Sequence, residues 1–422
     1  MRVYCLLFLL FWAAVMQANA QQTYFTDVNS KLIKTLQVKV AGEFISEPYI
    51  ELNGGQQIQI NFDALEQGGV RYSYSIIHCD ANWQKSILSP IQYMSGFQGL
   101  TIDDFANSIN TTTQYTNYNL LLPNDDVQFK ISGNYAVQIY NEDIPDQIVL
   151  TACFSVVEPM INIAASVSGN TDIDTNQTHQ QVSFTINNKN FPIPYPQTDL
   201  KIFVYQDNRR DNAVSGLQPM SIQENQISYT YNRNLIFSAG NEYRRMEFLS
   251  TKYNGMHIEN ISYHNPYYNV ELMTDHKRSN QTYQYDQDQD GRFFIRCSSC
   301  DDPDTEADYC IVHFALACDP FLDGNVYLNG ELFHNVLDEK SKMGYNFETH
   351  QYEKAVLLKQ GSYNYQYLYV PNGSTVGETG PIEGNYYQTE NEYSIYVYYR
   401  PMGTQYDRLI GVTTVKNAMQ VF

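Results

Sequence analysis

The chain predicts an all-β protein of three consecutive β-sandwiches with little helix, and three observations carry that expectation. First, a glycine followed by aromatic or apolar side chains at every second position recurs, as in Gly133-Asn134-Tyr135-Ala136-Val137-Gln138-Ile139-Tyr140 and Gly361-Ser362-Tyr363-Asn364-Tyr365-Gln366-Tyr367. Side chains two apart on a strand share a face, so this period buries one side of a sheet. Second, tyrosine occurs 36 times, which suits sheet faces that are apolar at the ring and wet at the hydroxyl. Third, no long segment places apolar residues at helical spacing.

Arg2, an apolar run over 6–15 and the small residues Ala18-Asn19-Ala20 form the charged start, apolar middle and cleavage site of a secretory signal. Residues 1–20 are expected to be removed, leaving a mature chain that begins at Gln21. Cys5 lies inside the signal and cannot be the lipidated first residue of a lipoprotein. The apolar run is shorter than the roughly 20 residues of a membrane helix, and no later segment is long enough, so direct membrane insertion is not expected. A formal charge of −20, from 46 acidic and 26 basic residues, would repel phosphate backbones and anionic lipid surfaces. Nucleic acid is therefore not an expected partner. At roughly 100–150 residues per domain, the mature length holds about three.

The first domain, 21–158, carries expected strands at 36–40, 57–62, 72–78, 118–122, 135–140 and 151–157, with turns at Asn53-Gly54-Gly55 and Gly68-Gly69. The stretch 83–117 has no clear period and reads as a long loop, which in a compact domain is more often functional than idle. Within it Tyr93, Met94 and Phe97 are the expected partner contacts, because methionine and aromatic side chains suit a hot spot. The other reading folds them back onto the domain. The second domain, 159–303, opens at Pro159, where a strand sheds its ladder donor. Its expected strands are 182–186, 200–206, 227–231, 243–248, 258–263 and 293–297, with Phe191-Pro192-Ile193-Pro194-Tyr195-Pro196 as a stiff connector. An acidic, turn-rich stretch over 298–308 closes it. The third domain, 304–422, carries strands at 311–317, 324–328, 351–358, 363–369 and 393–399, with a last one at 408–415.

Catalytic signatures are missing: no nucleophile-elbow serine, Walker loop, glycine-rich dinucleotide turn or paired-histidine zinc helix occurs. The expectation is a protein that is not an enzyme, has no cofactor and takes no small-molecule substrate. His78 and Cys79 are strand neighbours facing opposite ways, so they cannot form a thiolate pair. Asp103-Asp104 and Asp125-Asp126 are adjacent and read as turn residues rather than as the acid and base of a hydrolase. Asp286, Asp288 and Asp290, followed by Gly291, resemble the first half of a calcium loop. Cys297 stands where the bidentate glutamate belongs, so a polar hairpin turn is the other reading, with Asp301, Asp302 or Asp304 as distant ligands if calcium binds. Of seven cysteines, Cys5 leaves with the signal, and the even set remaining suits an oxidising compartment. Cys297 and Cys300 flank a tight turn, while Cys310 and Cys318 share one face of a regular strand. A bridge from the first pair to the second would staple domains two and three.

Tyr72-Ser73-Tyr74 with Ile76-Ile77-His78-Cys79-Asp80-Ala81-Asn82-Trp83, then Leu122-Pro123-Asn124-Asp125-Asp126-Val127-Gln128-Phe129-Lys130-Ile131-Ser132-Gly133-Asn134-Tyr135, resemble the plug protein family of the Bacteroidetes type IX secretion system. The likeness continues through Gly240-Asn241-Glu242-Tyr243-Arg244-Arg245 and Asp290-Gly291-Arg292-Phe293. It implies immunoglobulin-like sandwiches and a periplasmic protein whose partner is the large outer-membrane translocon β-barrel, closed at its periplasmic mouth when no substrate is engaged. The third region, at Gly324-Asn325-Val326-Tyr327-Leu328-Asn329-Gly330 and Leu357-Leu358-Lys359-Gln360-Gly361-Ser362-Tyr363, also resembles early-set sandwiches related to glycogen-binding modules. Sugar platforms there stack on tryptophan, and this region has none. The alternative function is accordingly an exported carbohydrate-binding module of a glycan-uptake system.

Overall fold

A computed structural model describes residues 22–65 and 69–417; the expected signal, residues 1–20, and Gly68 of the Gly68-Gly69 turn lie outside them. The chain is all-β, as expected. In the first sandwich one sheet runs Asp27–Val28, Ile148–Val157, Gly133–Asn141, Tyr72–Cys79 and Leu100–Thr101, with Tyr49–Glu51 added in parallel to Ile148–Val157. The facing sheet runs Ile33–Val40, Ile58–Ala64, Thr116–Leu122 and Phe105–Asn107. Aromatic rings fill the space between: Phe62 stacks on Tyr118 at 5.2 Å, and Tyr135 on Phe154 at 5.8 Å.

The second sandwich is assembled from two distant parts of the chain. One sheet contains Asn162–Ser168, His179–Asn187, Gln226–Ser228 and Ser221–Gln223, with Ile236–Ser238 also on His179–Asn187. The other orders Val214–Ser215, Leu200–Gln206, Glu392–Tyr399 and Arg408–Lys416. The last two strands, expected with the third domain, thus pair here, in a register running from Leu200 opposite Tyr399 to Gln206 opposite Tyr393. The physical reason is the core: Leu200, Ile202 and Val204 bury against Tyr393, Ile395, Val397 and Ile410.

Between these two parts lies the third sandwich. Arg244–Phe248 and Phe293–Ile295 both pair with Gly361–Pro371, so hydrogen bonds cross the boundary expected at 303/304. The opposing sheet orders Ile258–His264, Tyr267–Leu272, Tyr309–Ala317, Gln351–Lys359 and Gly344–Asn346. Among the described residues α-helix is confined to four-residue turns, Pro90–Tyr93, Pro196–Asp199 and Pro303–Glu306. Each begins with proline, whose fixed φ suits the first helical position where no N–H is needed. No helix among the described residues is long and apolar enough to cross a membrane.

Gly133–Asn141 is buried along most of its length, because its outer face is covered too. Tyr396, Tyr398 and Leu409 of the second sandwich pack on Ala81 and Val157 of the first, and the Tyr398 hydroxyl donates to Asn134 Oδ1 at 2.8 Å. Gly133 itself, at φ +135°, lies under the His78 ring, where a Cβ would meet Nε2 at 2.5 Å.

Candidate functional site

The expected contact loop is ordered by its own side chains. Gln98 gives the strand Tyr72–Cys79 a substitute partner: its Oε1 accepts from Ile76 N–H at 2.7 Å and its Nε2 donates to Ile76 C=O at 2.8 Å. Tyr93 donates to the same carbonyl at 2.7 Å and stacks on His78 at 5.7 Å. Met94 pairs with Phe129 through the backbone. Tyr93 and Met94 are therefore core residues, 4% and 1% exposed, and only Phe97 of the expected trio, at 80%, is free to meet a partner. Ile87 and Ile91, each 77% exposed, flank Leu88, which is buried, and were not singled out from the sequence. An apolar residue just before a proline-led turn and another within it was the available signal.

The acidic loop diverges. Asp286 faces Arg245, which donates to it at 2.6 and 3.0 Å. Asp288 turns inward to accept from the Tyr243 and Asp290 N–H groups, and burial, then the Asp290 charge, push its pKa up to about 8. Asp290 accepts from Lys416 Nζ at 2.6 Å, and Asp302 caps the turn Pro303–Glu306 by accepting from Asp304 N–H. No group of three or more His, Cys, Asp or Glu converges as metal ligands among the described residues. The cysteines also differ from expectation. Cys297 is bonded to Cys300, closing the turn between them, while Cys310 and Cys318 are free thiols packed at the core of the third sandwich. No bridge joins the two pairs, because Cys297 and Cys300 are bonded to each other and Cys310 packs in the core of the third sandwich. His78 and Cys79 do face apart: His78 lies within hydrogen-bond distance of Ser86 Oγ and the Ser132 carbonyl, and Cys79 packs with Cys153.

The three sandwiches meet through buried charge. Asp63 of the first accepts from Lys359 Nζ of the third at 2.6 Å, with both side chains almost wholly buried (0% and 1% exposed). Tyr309 and Asn117 complete its shell at 2.7 and 2.8 Å, and the Lys359 ammonium lies 4.1 Å from the centre of the Tyr115 ring. A second node joins all three bodies: Arg292 Nη2 donates to Glu47 of the first and Glu392 of the second, each at 2.5 Å. Two carboxylates thus share one guanidinium. Burial pushes Glu47 up to about 7 despite Arg292, with Glu392 adding to the rise; against its own burial, Arg292 and Lys416 hold Glu392 below the usual range. Beside the second node a cavity of about 450 Å³ opens between the sandwiches, and within it the Arg210 guanidinium lies 4.4 Å over the Trp83 ring. Sequence reading missed these partners because they are far apart in the chain.

Residues 33–158, nearly the whole first sandwich with Glu47, Asp63 and the contact loop, match the family model described as type 9 secretion system plug protein, first domain. The chain belongs to the type IX secretion system plug family. A solved structure of a hypothetical protein from Parabacteroides merdae is similar throughout, 82% identical, with a TM-score of 0.94 over 94% of this chain and all of the other. No curated protein is matched. Membership gives this plug-family chain a plug-like role in type IX secretion and associates it with that system. The matched segment contains both the buried half of the junction and the exposed loop.

Proposed function

We propose that this chain is a non-enzymatic periplasmic plug that occludes the periplasmic end of the type IX translocon barrel when no substrate is engaged. The observation that carries the reading, beside the family match, is the junction: three sandwiches held to one another by Asp63–Lys359 and by the Glu47–Arg292–Glu392 node. A stopper needs a body of fixed shape, and charge pairs sealed between domains fix orientation in a way that an apolar interface, which can slide, does not. The loop with Ile87, Ile91 and Phe97 is the contact the reading assigns to the barrel, since exposed apolar side chains gain most by being covered.

The test is direct. Tagged protein is recovered from detergent-solubilised envelope and its companions are identified; a very large barrel should co-purify. The barrel is then placed in a planar bilayer, and adding the protein should lower its conductance. A barrel that stays open with the protein bound, or no barrel at all, rejects the reading. Glycan arrays should give no binding, and a strong glycan signal with no barrel recovered would favour a carbohydrate-binding module instead.

A further inference from the structure

Between the first and third sandwiches runs a groove of about 440 Å³, within the size range of small-molecule sites. Its floor is apolar: Ile33, Leu36, Phe293, Leu358 and Tyr363 are buried core residues that line it, and Leu332 and Phe333 add to it. Its rim is basic, with Lys31, Lys34, Lys340 and Lys354, on a chain whose net charge is −20. Lys340 is engaged by Asp27 at 2.6 Å and lies 3.8 Å from Asp338. Lys354 donates to the Lys342 carbonyl at 2.8 Å. His334, also on the wall, is kept neutral by burial, which lowers its pKa to about 4. Lys31 is exposed to water; Lys34 differs from all of these. It is half-buried and its ammonium makes no hydrogen bond or ion pair among the described residues, and burial, then the charge of Lys340, lower its pKa.

The backbone places Lys34 there by a bulge. Lys34 pairs with Asp63 and Gln37 with Asn61, so Thr35 and Leu36 together stand opposite a single residue, Phe62. Thr35 takes φ 53°, a left-handed conformation that β-branched residues avoid. It is held there by Tyr309, whose hydroxyl lies 2.6 Å from Thr35 Oγ1. The bulge lets Ile33, Lys34, Thr35 and Leu36 line the groove in succession, where a regular strand would turn alternate side chains away.

An ammonium half withdrawn from water with no counterion is unfavourable. Leu332, Phe333 and Val356, only partly buried beside it, gain by being covered. We propose that this groove binds an anionic amphiphile, an acyl chain whose carboxylate or phosphate head pairs with Lys34 while the chain lies along Leu332, Phe333 and Val356. The site stands apart from the plug reading and survives or fails independently of it.

The experiment uses the full mature chain and calorimetric titration with decanoate, decyl phosphate and decanol. Wild type should take up at least one of the anions saturably, and at least about tenfold more tightly than decanol. Tighter decanoate binding identifies a free fatty acid as the source, and tighter decyl phosphate a phosphorylated lipid; either supports the site. Lys34→Met should weaken the anion about tenfold and leave decanol unchanged, while Lys34→Arg should keep the preference. Val356→Trp, on the groove wall, should weaken all three ligands, with thermal unfolding checking that each variant is folded. No saturable uptake of either anion by wild type, or a preference that survives Lys34→Met, overturns the proposal.

Discussion

The junction of the sandwiches and the loop of the first sandwich place their side chains in opposite senses. At the junction Asp63, Lys359, Glu47 and Arg292 are buried; on the loop Ile87, Ile91 and Phe97 stand in water. Both arrangements run against solvation, and each is held by partners that supply what water would. The buried charges have one another. The loop has Tyr93, Met94 and Gln98, which fasten it to the strand beneath so that its apolar residues stay presented. The contrast teaches a division of labour: charge sets how the bodies are oriented, and apolar side chains are left outside, where the proposed plug reading has the barrel cover them. A loop already fastened loses little conformational entropy when it binds.

The contrast breaks most severely at Lys359. Lys359→Met removes the only cation bonded to Asp63 among the described residues and leaves a carboxylate sealed from water with Tyr309 and Asn117 alone. Such a loss costs about 3–5 kcal/mol, read as a lower denaturant midpoint in equilibrium unfolding. The double variant Asp63→Leu/Lys359→Met should recover much of it, because no charge is then stranded. A single variant as stable as wild type would mean that the pair does not hold the first and third sandwiches together.

The second node sharpens the comparison through pH. Glu47 has a folded pKa of about 7 against an ordinary 4.5, so the folded state holds a proton that the unfolded chain has given up. Its stabilisation is complete below about 4.5 and is lost as pH rises through 7. Between about pH 6.5 and 8.5 His78 and His334, lowered to about 4, act the other way, because the unfolded imidazoles are still shedding protons above pH 6.5; the difference between wild type and Glu47→Gln cancels their part. Wild-type melting temperature should fall across that window. Glu47→Gln should flatten the fall by an amount worth roughly 1 kcal/mol within that window. Glu242 and Asp288, raised to about 7 and about 8, act in the same direction, so some slope persists. An unchanged profile would mean that Glu47 is ionised in the fold throughout.

A smaller effect tests the loop's fastening. Tyr93→Phe keeps the ring on His78 and removes only the hydroxyl that donates to Ile76 C=O, a loss of about 1 kcal/mol. Since Gln98 Nε2 also donates to that carbonyl, the acceptor is not orphaned. Hydrogen exchange at the amides of 94–99 should quicken while the rest of the first sandwich is unchanged.

What was legible in the chain follows the same line between local and distant causes. The strand Leu200–Gln206 was read at its observed bounds because Leu200, Ile202, Val204 and Gln206 carry the whole inward period within seven residues. Asn162–Ser168 was missed, since its inward Ile163, Ala165 and Val167 are only partly buried and the alanine at their centre, beside Ala164 on the other face, leaves a faint period. Glu392–Tyr399 was found, yet its sheet was not: six successive residues are buried, so neither face declares a side, and its partner Leu200–Gln206 lies far back in the chain. At the site, Phe97, expected as a partner contact, stands on the surface. Tyr93 does not, because its acceptor belongs to a strand 17 residues away. Asp63 did carry a signal in the sequence, a charge set between Phe62 and Ala64 in an apolar strand, which usually means a buried partner.

The smallest change in stability should accompany the largest change in function. Ile87, Ile91 and Phe97 are exposed and contribute little to the core, so replacing all three with serine should move folding stability by no more than about 0.5 kcal/mol per site. If these residues cover part of the barrel mouth, the same variant loses the desolvated centre of its contact, where hot-spot residues each contribute about 2 kcal/mol or more, roughly a thirtyfold loss of affinity. Recovery of the barrel in pull-down should then collapse and conductance block should fail, while unfolding curves overlay those of wild type. Lys359→Met should show the reverse pattern at low temperature: weakened folding, but capture retained by whatever fraction is folded. Should the serine variant still seal the barrel, the contact lies elsewhere on the body, and the apolar loop has no part in it.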